Sequence, residues 1–98
     1  LIKYRVTPAG TVLGSGDLDP SDVVDLVVNY TQYFKTDTIT TITVTGTNVT
    51  IDSSAVSANV VTIFVSSGIE GTIAEVKIKT ATSTRTIERT LFLEVEQK

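Results

Sequence analysis

Residues 72–96, TIAEVKIKTATSTRTIERTLFLEVE, decide the fold. Two alternating runs, Thr72–Thr82 and Arg85–Glu96, flank a polar turn at Ser83-Thr84. Successive side chains of a strand point to opposite faces, so period-two alternation marks a half-buried strand. Ala74, Val76 and Ile78 fall on one face; Glu75, Lys77 and Lys79 fall on the other. On the return run Ile87, Leu91, Leu93 and Val95 point inward, while Glu88, Thr90, Glu94 and Glu96 point outward. The stretch predicts a long hairpin with acidic residues opposite lysines, pairs that stabilise by roughly 0.2–1 kcal/mol each. Arg89 breaks the alternation, having the inward parity of its strand. It either meets a buried carboxylate or lies at the end of the sheet in water.

The rest of the chain repeats the pattern in shorter pieces. Leu1–Val6, Val23–Tyr30, Thr38–Thr45, Val49–Asp52 and Val60–Val65 read as strands. Residues 7–22, with Gly10, Gly14, Gly16 and two prolines, read as a loose loop. Asp19-Pro20-Ser21-Asp22 reads as a turn or a single helical turn. The parity change between Ile39 and Ile42 suggests a bulge or a bend, and Ser53-Ser54 suggests a turn. With turn signals every 8–12 residues, the count predicts an all-β, immunoglobulin-like antiparallel β-sandwich of about seven strands. A small barrel is the other arrangement this pattern permits. The 98 residues suit one domain spanning 1–98. The first residue is leucine, which leaves open trimmed ends or a piece of a longer chain.

Composition narrows function by exclusion. Without cysteine there is no disulfide, thiolate site or cysteine nucleophile. Without histidine the usual proton shuttle and commonest metal ligand are missing, and a hydrolytic triad has no base. No catalytic residue and no cofactor is expected. A net charge of −3 disfavours nucleic acid. No apolar run approaches the ~20 residues of a membrane-spanning helix. Asp17, Asp19 and Asp22 are oxygen ligands crowded enough to consider for calcium, but the spacing completes no known calcium loop, and capping of turns accounts for them.

Tyr30, Tyr33 and Phe34 suit either a sugar-stacking platform or corner packing. Phe92 has outward parity, and with Val23, Val27 and Phe64 it is a candidate contact patch. Threonine-rich strands with few charges at their edges, Leu1–Val6 or Thr38–Thr45, are candidates for pairing with another chain.

From Asp25 onward the sequence resembles a family of small tailed-phage virion proteins, the fibre–tail adaptors, which have an Ig-like fold. The resemblance runs through the aromatic corner Tyr30-Thr31-Gln32-Tyr33-Phe34 and the strand Asp37-Thr38-Ile39-Thr40-Thr41-Ile42. It continues through Phe64-Val65-Ser66-Ser67-Gly68, the entry Gly71-Thr72 and the arginines Arg85 and Arg89. Family members commonly carry tryptophan where this chain has Tyr30, Tyr33, Val44 and Phe64, and glycine where it has Thr84. The resemblance implies a virion component without an active site, present in several copies and bound to other virion proteins in tail, fibre or capsid. Tyr33, Phe34, Phe64, Phe92 and Arg89 are then the candidate partner-binding residues. A second reading is an Ig-like module of a larger secreted or surface protein, binding carbohydrate through Tyr30, Tyr33 and Phe34.

Overall fold

A computed structural model describes residues 1–97. In chain order these form β1 (Ile2–Val6), β2 (Val12–Leu13), β3 (Gly16–Leu18), β4 (Val24–Asn29), a helical turn α1 (Thr31–Phe34), β5 (Thr41–Thr47), β6 (Thr50–Ser57), β7 (Val60–Ser66), β8 (Ile73–Ala81) and β9 (Thr86–Val95). The strands make two packed sheets, one in the order β2-β1-β4-β7-β6 and one in the order β3-β9-β8-β5. The sandwich expected from the patterning is therefore present. It differs from expectation in two respects. Nine strands are formed, not about seven, because residues 7–22 contribute β2 and β3. The sheets are mixed, not antiparallel, since β1 runs parallel to β4 and β3 parallel to β9. Alternation along a strand reports which face is buried and carries no information about the direction of its neighbour.

The hairpin of β8 and β9 pairs from Ile73↔Glu94 to Ala81↔Thr86. Ala74, Val76, Ile78, Leu91, Leu93 and Val95 are buried, as their parity requires. At the turn the Thr82 hydroxyl accepts from the N–H groups of Thr84 and Arg85, and the Thr82 N–H donates to the Arg85 carbonyl at 2.8 Å. A threonine side chain thus shapes a turn that needs no glycine. The register sets Lys79 opposite Glu88, but Lys77 opposite Thr90 and Glu75 opposite Phe92. The expected ladder of charge pairs reduces to one pair.

Two expected features moved for tertiary reasons. Ser53 and Ser54 lie inside β6, whose pairing with the apolar β7 overrides their turn preference; the irregularity falls between Ile51 and Ser53 instead. The β6–β7 turn is made by Ala58 and Asn59, both at positive φ (50° and 63°), as a two-residue hairpin loop requires. Ile39 is buried but precedes β5, so the parity change near it marks entry to the strand and not a bulge.

The core lies between the sheets, built from Leu26, Val28, Val61, Ile63 and Val65 on one side and the inward residues of β8 and β9 on the other. Thr80 shares that inward face. It is wholly buried, and among the described residues its hydroxyl has no hydrogen-bond partner. An unpaired buried hydroxyl is destabilising, and valine has nearly the same shape. Thr80→Val is therefore expected to raise the unfolding free energy by about 1 kcal/mol, seen as a higher urea midpoint at unchanged slope. A lower midpoint would contradict the burial of that hydroxyl.

Candidate partner-binding surfaces

One end of the sandwich gathers α1, the 7–10 turn, the Ala58-Asn59 turn and the turn of the β8–β9 hairpin. Asn59 builds it. Its side-chain oxygen accepts from the Ile39 N–H at 2.9 Å, its amide donates to the Asp37 carbonyl at 2.7 Å, and its own carbonyl accepts from the Tyr30 N–H. The Asn29 side chain accepts from the Thr31 N–H and hydroxyl at the start of α1. The ring of Phe34 then stacks on Tyr30 and meets Tyr33 edge-on, with centroids 5.7 and 5.0 Å away.

Arg85 covers this cluster. Its guanidinium carbon lies 5.1 Å from the Tyr33 ring centroid and 5.5 Å from that of Phe34, within cation–π range. Its Nε and Nη2 donate to Asp37 Oδ2 at 3.1 and 2.9 Å, and the Thr84 hydroxyl donates to the same oxygen. The hydrogen bonds from Arg85 hold the Asp37 carboxyl below its ordinary pKa, and Asp37 raises that of Arg85 in return. Arg89 takes the second of its two expected placements in part. It is half-buried near this end, with Nε donating to the Gly10 carbonyl at 2.6 Å and Nη1 to the Glu88 carbonyl at 2.8 Å. Carbonyls serve where a buried carboxylate was expected. Gly10 sits at φ +89°, and a Cβ there would come within 2.9 Å of Arg89 Nη2 and 3.2 Å of the Tyr33 ring. Glycine at this position lets the arginine reach the backbone.

Of the candidate partner-binding residues, Tyr33, Phe34 and Arg89 therefore share one end, and Phe64 and Phe92 do not join them. Phe34 is buried and acts as packing. Phe64 is exposed on the outer face of the β1-containing sheet, opposite Asp25 and Ser53. Phe92 is exposed on the outer face of the other sheet, opposite Glu75. The patch expected to join Phe64 and Phe92 does not form, because parity shows that a residue faces outward but not from which sheet. The sugar-stacking platform is also absent: Tyr30 and Phe34 are core residues, and Arg85 lies over Tyr33.

The acidic loop is organised as a turn. Asp19 Oδ1 accepts from the Ser21 N–H at 2.8 Å, and the Asp22 N–H donates to the Asp19 carbonyl at 3.0 Å. Asp17 lies on β3 opposite Glu94. Asp17 thus lies outside the Asp19–Asp22 turn, and among the described residues no three acidic side chains assemble as metal ligands.

The four sheet edges are unequal. β2 has two residues, β3 has three including Asp17, and β6 is kinked by its irregular register. Short, charged or bulged strands resist pairing with another chain. β5, Thr41–Thr47, is different: seven residues long, without charge, proline or register shift, and paired only with β8. Its threonines at 41, 43, 45 and 47 are all exposed. The first strand, the other expected edge, is paired with β4 from Ile2 to Arg5 and with β2 at Arg5 and Val6, and Gly14 packs over Lys3 and Tyr4 on that side.

Fold and surfaces together define a small two-sheet sandwich with one unguarded edge and an arginine–aromatic end. Residues 18–94 match the family described as Podophage GP4 fiber-tail adaptor protein gp77, and the chain belongs to that family. The match runs from the end of β3 to near the end of β9, so β1 and β2 lie outside it. No curated protein matches the chain. The protein is a fibre–tail adaptor, a structural component of the phage virion that binds other virion proteins.

Proposed function

We propose that the chain works as a single non-enzymatic unit, present in several copies, and that it holds a neighbouring virion protein by strand addition at β5. The observation that carries this reading is the contrast between β5 and the other three edges. In an antiparallel pair, alternate backbone N–H and C=O groups of each strand point away from the partner. An unguarded outer strand offers that row to an extended segment, and main-chain hydrogen bonds then supply affinity. The exposed threonines favour an uncharged, β-branched partner strand. The Ig-like arrangement is part of the same proposal. Its support is the packing of two sheets, with the hairpins β6–β7 and β8–β9 in different sheets, together with the family resemblance.

Thr43→Glu with Thr45→Glu tests the edge. These positions face Lys79 and Lys77 of β8, so the new carboxylates pair within the chain while placing charge on the edge. The double variant is expected to unfold at the wild-type urea midpoint but to be incorporated into virions at least tenfold less. A folded variant incorporated at the wild-type level would remove β5 from the interface.

A further inference from the structure

Charge is segregated along the long axis of the molecule, whose dimensions are 41 × 22 × 18 Å. Of the eleven acidic residues only Asp37 and Glu88 lie in the half that contains α1 and the β8–β9 turn. The opposite end is formed by the turn at Asp19–Asp22, the loop between β7 and β8, and the last residues of β9. Asp22, Glu70, Glu94 and Glu96 stand there, with Asp52 beside them on β6. No lysine or arginine among the described residues joins them; the cation at that end is the α-amine of Leu1, 3.5 Å from Asp25. Arg5, Lys35, Arg85 and Arg89 instead cluster at the α1 end, where Arg5 bonds Gln32 of α1. Six of the seven large exposed apolar residues also lie on the acidic half, Leu13 beside Arg5 being the exception. Ile73 and Phe92 share the outer face of the β8–β9 hairpin with Glu94 and Glu75, and exposed apolar side chains rimmed by one sign of charge have the composition of an interface.

We propose that copies of this chain dock head to tail, the acidic, apolar end of one against the arginine-bearing end of the next. The occupant follows from complementarity: the chain carries both halves of the charge match, on opposite ends. Such a contact is heterologous, so it leaves one free end of each kind and propagates to a ring or a row. The inference rests on the reading that the adaptor acts in several copies, and it concerns surfaces distinct from β5.

Sedimentation velocity over a concentration series, at low and high salt, tests it. The wild-type chain is expected to associate at low salt and to lose association as salt rises, because exposed charges are screened. Asp22→Lys with Glu70→Lys, and separately Arg5→Glu with Lys35→Glu, should each weaken association at least tenfold. Mixing the two double variants should restore it, since each retains the end the other has lost. A wild-type chain monomeric at low salt, reversed ends that still associate, or a mixture that stays monomeric would each overturn the proposal. The Thr43→Glu/Thr45→Glu variant should sediment like wild type. Loss of its incorporation into virions concerns the edge reading alone, so the two proposals fail separately.

Discussion

Replacing Asn59 by alanine is expected to destabilise the protein by roughly 3–5 kcal/mol. The side chain satisfies the buried Ile39 N–H and the Asp37 carbonyl, and alanine can reach neither. Each stranded backbone group costs about 1–3 kcal/mol. Asn59 also sits at φ +63°, where alanine adds about 1 kcal/mol of steric strain that asparagine tolerates better. Set against a total stability on the order of 5–15 kcal/mol, this is a large fraction. Urea unfolding measures it, and Asn59→Gly separates the contributions: glycine keeps the backbone conformation and loses both hydrogen bonds. An Asn59→Ala midpoint indistinguishable from wild type would mean that this residue does not hold the α1 end together. Because Tyr33, Asp37 and Arg85 are placed by the same corner, the loss should also release the Arg85–Asp37 pair.

The second large effect lies at alkaline pH. Tyr4 and Tyr30 are buried, and burial pushes both phenols from 10.0 up to about 12, opposed at Tyr30 by the charge of Arg89. Below pH 10 both forms of the chain keep these protons. Between pH 10 and 12 the unfolded chain releases them and the folded chain holds them, so the equilibrium moves toward unfolding as pH rises. A tenfold difference in proton affinity between the two forms corresponds to about 1.4 kcal/mol, so each tyrosine accounts for roughly 2–3 kcal/mol of stability lost across that window. Tyr30→Phe should remove about half of the decline. It should also raise stability at neutral pH, since the Tyr30 hydroxyl has no partner among the described residues, whereas the Tyr4 hydroxyl donates to the Phe92 carbonyl at 3.0 Å. Urea titrations at intervals from pH 9 to 12 measure both effects. A flat profile in the wild-type protein would show that these phenols reach water in the folded state.

What could be read in the sequence, and what could not, divides along physical lines. The β8–β9 hairpin was legible because one of its faces is wet and the other dry, so alternation runs through β8 and most of β9, with Arg89 its exception. β2 and β3 were not legible. They are two and three residues long, and contacts with other strands make them: Gly16 packs against Ile2, and Leu18 pairs with Val95. Pairing direction was hidden for the reason that makes periodicity useful, since alternation is identical in parallel and antiparallel neighbours. Asn59 is of a residue type that favours turns, but its main task joins it to Ile39, twenty positions away, which nothing local indicates. The outward parity of Phe64 and Phe92 was legible, and their separation onto different sheets was not. Arg85 belonged to a recognisable arginine-bearing turn, yet nothing local indicated that Asp37 and Tyr33 would hold it. Family resemblance supplied what chemistry could not, because an adaptor acts through edges and ends and needs no catalytic motif.

The central claim is that β5 is an edge left open for a partner. Amide hydrogen exchange of the Thr41–Thr47 segment, measured in the free chain and again in the assembled tail, tests it most directly. In the free chain about half of these amides should exchange quickly, those pointing away from β8. In the assembled tail they should become protected together with their neighbours. Fast exchange that persists unchanged after assembly would contradict the account.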